Sequence, residues 1–185
     1  MRKLILTFYF IVFHFISFAQ LEIPKFKDTT DNKTFPSDTS ILKVLGRSQV
    51  IILFSRYSAF TLWKEYKIIS YQNDNKWHYN ILIHPDTSYL FFEIEAPQNS
   101  INEIWKTIKR NNLFSISKEK YRDTNCEAMV YDSHHYEFWI SVNNEYRKIH
   151  YYNPEYFQKN CKGNNERKQV VEVATVFQNF IKKYK

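Results

Sequence analysis

Glycine is nearly missing from this chain: 185 residues contain two, Gly46 and Gly163. Phosphate-cradling loops of the P-loop and dinucleotide types need several glycines at fixed spacing, so nucleotide binding of those kinds is excluded. Tight turns that require positive φ must fall to asparagine instead. Cysteine is equally scarce, with Cys126 and Cys161 alone. Neither sits in a CxxC pair or beside a histidine, which removes the usual settings for thiol redox or nucleophilic chemistry. No HExxH or comparable metal signature occurs. Ser133 and His134 are neighbours in sequence, but adjacency does not make a catalytic triad.

Charge of one sign is not concentrated either. The formal net charge is +7, and taking Arg2 and Lys3 from the 26 basic residues leaves +5 against 19 acids. Lys118, Lys120 and Arg122 form one basic group and Lys182, Lys183 and Lys185 another. Neither is the continuous basic face that phosphate recognition needs, so no nucleic-acid partner is expected. Aromatics, by contrast, are plentiful at 18% and suit strands and large core side chains.

The one long apolar run lies at the start. Arg2 and Lys3 precede Leu4 to Phe18, and Ser17 and Ala19 put small residues at the −3 and −1 positions of a cut before Gln20. This is the pattern of a secretory signal peptide over residues 1–19, too short for a comfortable membrane span. It predicts an exported protein, periplasmic or secreted, touching the membrane only in transit. Export makes a Cys126–Cys161 disulfide the expected state of the two thiols. Residues 20–40 are polar and hold Pro24 and Pro36, so they read as a flexible leader. Residues 41–185 read as a single domain.

Within that domain the pattern is α+β. Ile41 to Leu45 reads as a short helical turn, and Val50 to Phe54 as a buried strand. Tyr66 to Gln72 and Lys76 to His84 flank the turn formers Asn73-Asp74-Asn75. A two-residue loop at Asp74-Asn75 would put Tyr66, Ile68 and Ser70 on one face with Trp77, Tyr79, Ile81 and Ile83. Tyr89 to Glu95 alternates again. Ser100-Ile101-Asn102-Glu103 is a capping box, and Ile101, Ile104, Trp105 and Ile108 make a helical stripe over 100–112. A second hairpin spans Tyr136 to Tyr152 about Asn143-Asn144, with Asn153-Pro154 closing its strand. Asn164 or Asn165 then caps a long helix with Val170, Val173, Ala174, Phe177, Phe180 and Ile181 along one side. These elements predict an antiparallel twisted sheet of five to six strands with two main helices on one face.

The second hairpin carries the most chemistry. A two-residue turn puts Tyr136, Phe138, Ile140, Val142, Ile149 and Tyr151 on the core side. His135, Glu137, Trp139, Ser141, Tyr146, Lys148, His150 and Tyr152 then share the opposite side, with Glu137 across from His150. Trp139, Tyr146 and Tyr152 offer flat apolar area, while His135, Glu137, Lys148 and His150 offer hydrogen bonds. The leading expectation is a small non-enzymatic binding domain that recognises another protein, as inhibitor and immunity proteins do. The alternative is a secreted histidine-dependent hydrolase using His135, Glu137 and His150, with or without a metal. No catalytic residue, metal ligand or cofactor is assigned.

Overall fold

The computed structural model describes residues 21–26, 46, 48–58, 64–84, 90–116, 134–143, 145–161 and 164–184. Six strands form one open antiparallel sheet: β1 (Ser48–Ser58), β2 (Lys64–Gln72), β3 (Trp77–His84), β4 (Leu90–Ile94), β5 (His134–Val142) and β6 (Glu145–Tyr152). Their spatial order is β4-β3-β2-β1-β5-β6. The first four strands form a meander, and the β5–β6 hairpin docks against the free side of β1. Helix α1 (Gln98–Arg110) and a 3-10 turn (Leu113–Ser115) lie between β4 and β5 in sequence; α2 (Pro154–Asn160) and α3 (Asn165–Tyr184) follow β6.

The helical layer covers one face. Val50, Ile52 and Phe54 of β1 meet Tyr136, Phe138 and Ile140 of β5, and all six are buried under Val170, Val173, Ala174 and Phe177 of α3. Ile101, Ile104, Trp105 and Ile108 bring α1 onto the β3 side of the same core, where Trp105 meets Trp77 at 4.8 Å between ring centroids. An α+β fold with a twisted sheet and helices packed on it is therefore present. The two main helices expected are α1 and α3, and the short α2 is a third among the described residues. Its seven residues bury only Pro154, so no apolar stripe announces it.

The first hairpin departs from its predicted register. Gln72 and Lys76 close a three-residue loop, with the Gln72 N–H donating to the Lys76 carbonyl at 3.1 Å and Asn75 at φ 60°. Tyr71 therefore pairs with Trp77 and Ile69 with Tyr79. Glu65, Lys67, Ile69 and Tyr71 share the helix-covered face with Trp77, Tyr79, Ile81 and Ile83. Tyr66, Ile68 and Ser70 turn to the other face, contrary to the expectation from a two-residue loop. A shift of one residue exchanges the faces of a whole strand. The chain tolerates this because both faces are apolar. Ile51, Leu53, Tyr66, Ile68 and Leu82 form a second buried cluster, with Phe91, Trp139 and Tyr146 packed against it.

The cap of α1 also differs. Pro97 occupies the N-cap position, and no side chain caps the helix. The Ser100 hydroxyl meets the Tyr184 hydroxyl at 2.6 Å instead, tying α1 to the end of α3. Gln98 bridges to the sheet: its amide donates to the Trp77 carbonyl at 2.7 Å and its side-chain oxygen accepts the Trp77 N–H at 3.0 Å. Asn164 does cap α3, accepting the Arg167 N–H at 3.0 Å.

At the start of the expected flexible leader, Leu21, Ile23 and Phe26 lie against the core, with Phe26 and Phe114 at 5.7 Å. The expected turn at 41–45 falls outside the described residues, as does Cys126. Among the described residues no helix is long and apolar enough to cross a membrane.

Candidate functional site

The second hairpin folds in its predicted register. Val142 pairs with Glu145, Phe138 with Ile149, and Glu137 with His150. Asn143 supplies the left-handed residue at φ 48°. Its N–H donates to the Gln49 carbonyl at 3.2 Å, so the turn rests on β1. Tyr136, Phe138, Ile140, Val142, Ile149 and Tyr151 all face the core and are buried. Arg147 shares that face, 2% exposed; its guanidinium donates to the Phe114 carbonyl at 2.6 Å and also to that of Ile116. It thus fastens the 3-10 turn to β6 rather than joining the surface chemistry.

His135, Glu137, Trp139, Tyr146, Lys148, His150 and Tyr152 do share the opposite face, and they divide into two groups. The first centres on Glu137, which is 2% exposed. The Trp139 indole donates to its Oε1 at 2.6 Å, the Tyr57 hydroxyl donates to Oε2 at 3.2 Å, and Lys148 Nζ lies 2.9 Å from Oε2. Burial alone would push the Glu137 pKa upward. Lys148 and Trp139, with a further contribution from Lys64, more than offset that and hold it below its ordinary value. Glu137 is therefore an ionised, fully engaged carboxylate. The cations also sit over rings: Lys148 Nζ is 4.6 Å from the Trp139 centroid, and Lys64 Nζ is 4.2 Å from that of Tyr57.

The second group is the histidine pair. His135 Nδ1 and His150 Nε2 are 2.9 Å apart. The ring planes differ by 9° and the centroids are 5.0 Å apart, well beyond the nitrogen separation, so the rings meet edge to edge. One nitrogen donates and the other accepts. Tyr57 lies 5.1 Å from His135 on one side and Tyr152 lies 5.0 Å from it on the other. Glu137 is opposite His150 in the ladder, but its carboxylate is engaged by Trp139, Tyr57 and Lys148. Among the described residues no three His, Cys, Asp or Glu side chains gather closely enough to hold a metal ion.

Six of the seven expected site residues are partly buried and Glu137 is fully so, which makes this face less open than a free sheet surface. Tyr146 and Trp139 spend much of their area on the Leu53 cluster. Two contributors escaped the sequence reading: Tyr57 of β1 and Lys64 of β2. The β1–β5 register, in which Tyr57 pairs with His135, brings Tyr57 into the site. That pairing joins residues far apart in the chain, and no local spacing announces it.

A separate polar cluster lies at the other end of the sheet. His78 Nδ1 is 2.8 Å from Glu93 Oε1, and His78 Nε2 is 3.2 Å from Asp74 Oδ2. Burial draws the His78 pKa down, but the two carboxylates outweigh it and hold it above 6.5. Its ring nitrogens point to different carboxylates, an arrangement that links the first hairpin to β4 rather than converging on a ligand. No protein-family model matches this chain, and no curated protein matches it.

Proposed function

We propose that the protein is a small exported, non-enzymatic domain that recognises another protein through the β5–β6 face, with an inhibitor-like or immunity-like role. The observation that carries this reading is the fixing of Trp139 and Lys148 by Glu137. The indole and the ammonium are held in place before any partner arrives, which lowers the ordering cost of contact. Preset aromatic and cationic side chains beside the partly buried Tyr146 and Tyr152 suit a protein contact. A hydrolase of the triad type would instead need a carboxylate that orients a histidine and a nucleophile within its reach. Here Glu137 is occupied by an indole, a phenol and an ammonium.

The same reading places the mature chain, from Gln20 onward, outside the reducing cytosol with Cys126 bridged to Cys161. Cys161 is 8% exposed, and no described cysteine is a free thiol, which supports the bridge. The test is capture of partners from extracellular and envelope fractions by the purified protein and by its Tyr146→Ala/Lys148→Glu variant, with thermal melts on both. A partner retained by the first and lost by the folded variant is expected. Equal capture by both overturns the assignment of this face. Hydrolytic turnover abolished by His135→Ala overturns the non-enzymatic reading.

A further inference from the structure

The large apolar side chains left open to solvent among the described residues are Leu90 at 48%, Phe92 at 47% and Tyr156 at 36%. The first two belong to β4, the edge strand of the sheet, whose one ladder partner among the described residues is β3. An edge strand presents unpaired backbone donors and acceptors, and natural edges are commonly guarded by lysine, proline or a bulge. The β4 sequence Leu-Phe-Phe-Glu-Ile contains no lysine and no proline, and its ladder with β3 runs without a register shift.

We propose that β4 is an interface for a second copy of this chain, paired antiparallel about a two-fold axis that passes between the two copies of Phe92. The argument rests on register and charge. A two-fold perpendicular to the sheet pairs residues that share a face, so only even shifts are allowed. Centring on Phe92 matches Leu90 with the partner's Ile94, Phe92 with its counterpart, and Phe91 with the partner's Glu93, using all five strand residues. Sliding two residues one way sets Glu93 against its own copy, and like charges directly opposed destabilise a ladder. Sliding two residues the other way pairs only Leu90 to Phe92. In the centred register each Glu93 faces a phenyl ring, and its Oε1 already meets His78 Nδ1 at 2.8 Å within its own chain. The dimer would be a twelve-stranded sheet with both helical layers on the same side.

Five paired residues make a small contact, so association belongs in the weak class that depends on protein concentration. Sedimentation velocity over a hundredfold concentration range tests it. The expected result is a monomer–dimer equilibrium in the unaltered protein and in Tyr156→Lys, which changes the open aromatic of α2. Phe92→Lys would set two ammonium groups against each other at the axis and give a monomer with an unchanged circular dichroism spectrum and melting temperature. A monomer at every concentration in the unaltered protein overturns the proposal. So does a folded Phe92→Lys variant that dimerises as before, or assembly beyond two copies.

Discussion

Glu137 shows how one residue's surroundings decide its chemistry. A buried carboxylate is costly unless several donors meet it, and here an indole N–H, a phenol and an ammonium do so. Its pKa is held below the ordinary 4.5, so its stabilising effect is present above that pH and fades as acid titrates the folded-state group. Glu137→Gln is therefore expected to lose about 2 kcal/mol at neutral pH, because it leaves Lys148 without its counter-charge. The cost stays moderate because the Lys148 side chain is 35% exposed and keeps some contact with water. Urea unfolding checks both parts: the unaltered protein should lose stability below about pH 4.5, and the glutamine variant should show a smaller loss over the same range. An equal acid response in the two proteins would remove Glu137 from this role.

At the scale of the element, four asparagines among the described residues carry the left-handed backbone that glycine would ordinarily supply: Asn75, Asn112, Asn143 and Asn153. Asn143→Val should cost about 1–2 kcal/mol, since a β-branched side chain clashes in that region. Asn143→Gly should restore most of the loss, and a denaturant series reads both directly. A valine variant as stable as the unaltered protein would mean that the turn does not fix this hairpin. These turns also explain what the sequence made legible. Asn143-Asn144 allows a two-residue loop, and the polar alternation of β5 and β6 leaves one sensible register, so the faces of that hairpin could be read in advance. Around Asn73-Asp74-Asn75 two loop lengths are possible. Ile68 and Ile69 are both buried, one in each cluster, so hydrophobicity could not choose between them. The Ser100-to-Glu103 spacing pointed to a helix start two residues late, because Gln98 is secured by Trp77 and Ser100 is drawn to Tyr184.

For the whole molecule, the fold class followed from a count of alternating and helical segments, whereas the site needed contacts between distant parts. Tyr57 joins His135 only because β1 accepts β5 along its free side, and no nearby residue encodes that choice. The proposed Cys126–Cys161 bridge belongs to this scale as well. It would close a 36-residue loop that contains the whole β5–β6 hairpin. Reducing it should lower stability by about 3–4 kcal/mol in the chain-entropy account. A thiol titration of the denatured, unreduced protein should find none, and reduction should lower the melting temperature. Two titratable thiols before reduction would refute the bridge.

The central position of β1 has a consequence for synthesis. Its Val50 to Phe54 segment is the most deeply buried stretch of the sheet, yet among the described residues the strand on one of its flanks begins only at His134. While a ribosome is still extending the chain short of that residue, the meander presents a bare apolar ladder. Such an edge can recruit foreign strands. A holding chaperone during translation, or threading to a destination before folding starts, would keep this segment from precipitating, and products terminated before β5 would be the ones to clump.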